Sequence, residues 1–179
     1  MKKLNSIGLI LVALMLTFSP MFGQSSSKKA KIIADSKAAK VEFIKSDALM
    51  QSLFDNAAGY VIFPNVGKGG LGIGAAAGNG VVYEDGAMVG MAKLSQLSIG
   101  FQAGGQAYRE VIFFESKSEL ERFKASRFEF SAQASAVAAT EGASANVKYT
   151  DGVMVFTMQK GGLMYEASIG GQKFDFKGM

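Results

Sequence analysis

Two hydrophobic periods divide the chain. Between Ser25 and about Asn56, Ala30, Ile33, Ala34, Val41 and Ile44 recur at helical spacing. Ser46-Asp47 has the composition of a cap or kink that restarts a second helix through Leu49, Leu53 and Phe54. This region predicts two helices or one bent one. From Gly59 onward the period shortens to two. Tyr60, Val61, Ile62 and Phe63 read as a strand that Pro64-Asn65 ends. Beyond it, Leu71, Ile73, Ala75 and Ala77 alternate with Gly70, Gly72, Gly74, Ala76 and Gly78, so one strand face has almost no side chains. Such a face is expected where another backbone or a ligand comes close, or where a sheet bends sharply. Asn79-Gly80 reads as a hairpin turn into Val81-Val82-Tyr83, and Asp85-Gly86 and Asp151-Gly152 read as two-residue primed turns. Leu97, Ile99, Phe101 and Ala103 oppose Ser98, Gly100, Gln102 and Gly104, a second glycine-bearing face.

Val111 to Phe114 is a continuous apolar run, and Ser116 with Glu119 has the spacing of a capping box that opens a short helix carrying Leu120 and Phe123. From Arg127 to Thr140, Phe128, Phe130, Ala132, Ala134, Ala136 and Ala138 share one parity, which predicts a thinly packed strand. Alanine's helix preference keeps a helix over Ala132–Ala139 as the alternative. Val153–Phe156, Leu163–Ile169 and Phe174–Phe176 read as closing strands. The expected class is α+β and β-dominated: a curved antiparallel sheet or small barrel with N-terminal helices and one short internal helix.

The first residues change the compartment. Lys2 and Lys3, an apolar segment from Ile7 to Phe18, Pro20 and Gly23 have the layout of a cleavable signal peptide. The expected division is therefore a signal over 1–23, a helical segment over 24–57 and a glycine-rich β domain over 58–179. Removing Lys2 and Lys3 takes the 19 basic residues to 17 against 15 acidic ones, so a net charge of +4 becomes +2. That mild excess, with no arginine-rich stripe, does not predict nucleic-acid binding. With no cysteine there is neither a disulfide nor a lipid-attachment cysteine.

The chemistry is thin. Gly67, Gly69 and Gly72 satisfy the spacing of a dinucleotide fingerprint, but glycine alternation follows where the motif needs a helix. Lys68 is followed by glycine, so the Walker pattern is absent too. The chain has no histidine and no cysteine, which removes the commonest general base, the usual zinc ligands and the thiol nucleophile. The carboxylates read as solvated turn and helix residues, and the scattered methionines read as core filler. No catalytic residue, metal site or cofactor is expected.

The stretches GYVIFPNVGKGGLGIGAAAGNGVVYEDG, LSQLSIGFQAGGQAYREVIFF, SELERF and FEFSAQASAVAATEG together resemble the SYLF domain, over roughly Ser46 to Phe176. That resemblance implies lipid binding without catalysis. Members in eukaryotes bind phosphoinositides through a basic or amphipathic N-terminal segment, and some bind and bundle actin. Lys28, Lys29, Lys31, Lys37 and Lys40 occupy the corresponding place before GYVIFP, and Lys68 stands at the basic position of the glycine stretch. A signal peptide directs the chain to the periplasm or outside the cell, or to the periphery of an outer membrane, where actin is not an expected partner. The expected ligand is therefore an anionic phospholipid or membrane surface. Two rivals stay open: a structural or assembly protein that binds another protein, and a carrier of an acyl chain.

Overall fold

The computed structural model describes residues 22–71, 73–99, 104–131, 134–160 and 166–179. Residues to Lys31 and residues Ile32–Met179 form two compact units. The described part of the first is the opening of helix α1 (Phe22–Ser46). The apolar segment of the expected signal lies outside the described residues.

The second unit contains the rest of α1, helix α2 (Met50–Asn56), and strands β1 (Gly59–Leu71), β2 (Ile73–Glu84), β3 (Ala87–Ile99) and β4 (Gly104–Phe114). Helix α3 (Lys117–Lys124) follows, then β5 (Ser135–Ala138), a 3-10 turn over Ala143–Asn146, and β6 (Val153–Gln159), β7 (Glu166–Ser168) and β8 (Lys173–Gly178). The strands form one sheet in the order β7-β5-β6-β4-β1-β2-β3-β8. Pairing is antiparallel except for β5 beside β6. The outermost strands, β7 and β8, are consecutive in sequence and separated only by residues 169–172, so the sheet has to curl until its edges approach. Four hydrogen bonds hold this seam. Phe130 N–H donates to Gln172 O, Gly171 N–H donates to Phe130 O, and Gln96 Nε2 donates to the carbonyls of Ser168 and Gly170. The class is α+β with a curved, unclosed sheet.

Curling gives the sheet two kinds of face. The inner face gathers Val61, Phe63, Val66, Val82, Leu94, Ile112 and Phe114 around Phe123, Phe128, Phe130 and Phe174, with α3 as its lid. The outer face carries Tyr60, Ile62, Val81, Tyr83, Phe113 and Phe156, and Ala39, Phe43, Met50 and Phe54 of α1 and α2 pack on it. The buried side of α1 therefore runs through Ser36, Ala39 and Phe43, while Ala34 and Val41 are exposed. This corrects the expected apolar face. The helix turns toward the sheet the side bearing Phe43, the largest apolar residue of its part in the second unit.

The glycine-bearing parity of β2 points inward: Gly74, Ala76, Gly78 and Gly80 are buried, while Ala75, Ala77 and Asn79 are exposed. Gly72 lies outside the described residues. Two punctuation signals mislead. Pro64-Asn65 does not end a strand, because a register shift between Ile62 and Asn65 absorbs the proline as a bulge and β1 continues to Leu71. Asn79-Gly80 is no turn but the middle of β2, because only a residue without Cβ fits against Ile62 O and the Phe63 ring. The other turns hold: Asp85 and Gly86 have φ of 48° and 77°, and Asp151 and Gly152 have 51° and 77°, as a primed turn requires. At 97–104, β3 stops at Ile99 and β4 begins at Gly104, and residues 100–103 lie outside the described set. The parity there is the reverse of the apolar one, for Gln96 is buried and Leu97 is 77% exposed. The long strand expected over Arg127–Thr140 is reduced to β5 and a bridge at Glu129, with 132–133 outside the described residues. Ser116 is the N-cap of α3 in extended conformation but makes no side-chain cap bond, and Glu119 instead accepts from Arg122 at 2.6 Å.

The junction of α1 and α2 is held by Asp47, which is buried. It accepts from Leu49 N at 3.1 Å, and from Ser144 N and Ser144 Oγ at 2.8 and 2.6 Å. Burial alone would raise its pKa, but these donors hold the carboxyl below its ordinary value. Asp47→Ala leaves the Ser144 groups without their acceptor and is expected to cost about 1–3 kcal/mol in denaturant melts. A depressed carboxyl confers stability above its unfolded pKa that disappears as pH falls, so the wild-type advantage should vanish in strong acid.

Candidate membrane-contact surface and interior groove

The lysines expected to meet lipid divide into three groups. Lys28, Lys29 and Lys31 lie in the first unit, exposed along the opening of α1. In the second unit, Lys37 is exposed and Lys40 is not free in solvent. Its Nζ stands 4.7 Å from the Phe54 ring centre and 5.2 Å from that of Tyr60, and donates to Tyr60 Oη at 3.3 Å. Lys40 therefore caps the aromatic contact between α2 and the sheet, where Phe54 and Tyr60 meet edge to face at 5.0 Å. Lys68 is half-buried on β1, in register with Ala76, which belongs to the inner cluster. Paired residues share a sheet face, so Lys68 belongs to the face opposite α1 and is not joined to the helical lysines.

What the helix does bring together is a ridge that charge reading alone passes over. Lys37, Val41 and Lys45 recur at i+4, flanked by Ala34 and Ala38, and all five are exposed. The ridge leads to the corner before α2, where Ala48 and Leu49 are also exposed. Val41 is 62% and Leu49 52% exposed, two of the four exposed large apolar side chains among the described residues. The sequence held a signal for this: Val41 and Leu49 cannot share a buried face with Phe43 and Met50.

A concavity of about 1030 Å³ lies beside β6. Phe128, Phe130, Ala134, Val153, Val155 and Ile169 form an apolar floor continuous with the inner core. Glu119, Arg122, Glu129, Lys148 and Asp151 stand among its lining residues. Arg122 pairs with Glu119, and Lys173 pairs with Glu129.

The outer face is buried beneath the helices, with few polar groups. Burial raises the phenol pKa of Tyr60 and Tyr83, which stack at 4.9 Å, and the Tyr83 hydroxyl meets Ser36 Oγ at 3.3 Å. Among the described residues no three acidic side chains gather as a metal site, and no helix is long and apolar enough to cross a membrane.

Comparison with known proteins bears on this architecture. Residues 95–177 match the family model Ysc84, described as Las17-binding protein actin regulator. The chain is also similar to Beta cell expansion factor A of Aeromonas veronii, with 28% identity over 158 residues. That alignment takes in 86% of this chain and 60% of the relative's length. The matched region runs from the middle of β3 through the inner-face phenylalanines to β8, the part that closes the curl. Residues 95–177 thus carry a match to the Ysc84 (SYLF) domain, the family that the sequence resembles.

Proposed function

We propose that the protein is an exported, non-catalytic binder of anionic phospholipid surfaces, and that it docks through the exposed ridge of α1 and the corner at Leu49. The observation that supports this reading is the ridge itself, in which apolar side chains exposed to water alternate with lysines. Entry of Val41 and Leu49 into the headgroup boundary contributes about 1.5–3 kcal/mol per fully buried side chain. The lysines add an attraction to anionic lipid that salt screens. Lys28, Lys29 and Lys31 extend the basic character of the same helix.

Liposome flotation tests it. Wild-type protein is expected to float with phosphatidylglycerol vesicles at low salt and to remain below with phosphatidylcholine. Changing Lys28, Lys29, Lys31 and Lys37 to Glu should abolish flotation. Val41→Asp with Leu49→Asp should do so independently, with circular dichroism unchanged, because neither side chain packs in the core. Flotation of both variants at wild-type levels would exclude this surface.

The groove beside β6 favours a second reading, a carrier in which an acyl chain lies along Phe128, Phe130 and Ile169. A carrier would release stoichiometric lipid into organic extracts of the purified protein, measurable by mass spectrometry. A surface binder would not.

A further inference from the structure

One charged residue lies where the inner face is otherwise aromatic and aliphatic. On β4, Tyr108, Glu110, Ile112 and Phe114 share the inward parity, and Glu110 is fully buried, in register with Phe63 of β1 and Thr157 of β6. A carboxyl in such surroundings is costly unless it is compensated. Among the described residues no basic side chain pairs with it. Its partner is a neutral amide: Gln172 Nε2 donates to Glu110 Oε2 at 3.1 Å and approaches Tyr108 Oη at 3.5 Å. Gln172 is itself fully buried, one residue beyond the Lys173–Ser95 pair, which sets it beside Gln96. Gln96, 4% exposed, uses its own Nε2 on the seam carbonyls of Ser168 and Gly170.

That arrangement uses up the amide donors and leaves the acceptors. Gln96 Oε1, Glu110 Oε1 and Gln172 Oε1 are buried without a hydrogen-bond partner. Unmet buried acceptors are each costly, and each one in a native core calls for an explanation such as an ion or a water. Once Glu110 is ionised, all three are hard oxygen atoms and none is a donor, so above that titration the group that completes them is a cation or a pure donor. One carboxylate with two carboxamides carries a single negative charge. That charge matches an alkali ion, whereas divalent calcium is typically held by more carboxylates. We propose that Glu110, Gln172 and Gln96 form an internal site for a monovalent cation, sodium or potassium, that ties β4 to the β7–β8 seam across the interior of the curl. The elevated carboxyl pKa that burial imposes on Glu110 is in keeping with a charge that the protein alone leaves uncompensated.

Thermal unfolding of the purified protein at pH 8 in tetramethylammonium, sodium or potassium chloride, at equal ionic strength, tests this site. A saturable rise of about 5 °C in sodium or potassium over tetramethylammonium is expected. Glu110→Gln should unfold at the same temperature in all three salts. Identical wild-type midpoints in the three salts would overturn the proposal and leave an internal water as the donor, and so would a Glu110→Gln protein that keeps the rise. Should that variant fail to fold, wild-type crystals soaked in rubidium chloride decide. An anomalous peak bonded to the Glu110 carboxylate supports the site, and no peak there at saturating rubidium refutes it.

Discussion

Raising the pH from 4.5 to about 7 in tetramethylammonium buffers is expected to cost the protein roughly 3 kcal/mol of stability through one residue, Glu110. Burial lifts its pKa from 4.5 to about 7, and the hydrogen bond from Gln172 offsets that only in part. The folded state thus holds a proton that the unfolded chain has already released. A raised folded pKa gives stability that is fully present below the unfolded value and lost as pH climbs through the folded one. Asp47 acts in the opposite sense below its own ordinary range, so the stability maximum should fall in mild acid, between the two windows. Denaturant melts across pH 4 to 8.5 measure this. Glu110→Gln removes the ionisable group and should flatten the upper limb, leaving the variant more stable than wild type at pH 8. A wild-type limb that stays flat between pH 5 and 7.5 would show that Glu110 titrates at its ordinary value.

The other large effect is expected at Gly80. A Cβ there would stand 2.6 Å from Ile62 O and 2.7 Å from Phe63 Cδ1. The first is backbone in a paired strand and the second is a fully buried ring, so neither can step aside cheaply. Gly80→Val is expected to cost roughly 3 kcal/mol or more. Gly67 is the internal comparison, because it lies in an adjoining strand, yet a Cβ on it would meet nothing within 4 Å. Gly67→Val should change stability by no more than about 0.5 kcal/mol. Equal losses at the two positions would mean that glycine's backbone freedom, and not the space above it, is what the sheet requires.

These two sites also show where the sequence is legible. Hydrophobic period finds the helices and most of the strands, because each follows from side chains alternating between water and core. Asp85-Gly86 and Asp151-Gly152 were readable because both residues of a primed turn need positive φ, a local demand. Asn79-Gly80 carries the same letters for a non-local reason: Phe63 of the neighbouring strand takes the space. Pro64 was misread in the same way, since a bulge can accommodate it within a continuous strand. The lysines were visible as charge, but their separation was not. Lys40 is drawn onto the rings of Phe54 and Tyr60, and Lys68 falls on the opposite sheet face, both through tertiary contacts. Glu110 did leave a trace, being the one charged residue on the inward parity of Tyr108, Ile112 and Phe114. Gln172 left none, because its importance comes from the curl that carries it to β4.

The strand order sets when the domain can be finished. β1 waits for β4 and then β6 on one side, while β3 waits for β8, more than seventy residues further along the chain. The pairings that complete the sheet therefore join segments far apart in sequence, and these are slow to form because the loop entropy is lost before the contacts are gained. A chain interrupted before Lys173 would lack β8, the partner of β3 on that side among the described residues. It would present the N–H and C=O groups of Gly90 to Ser95 as a bare edge, a template for pairing with another copy. Strand β8 is thus what separates a self-contained sheet from an open-ended one.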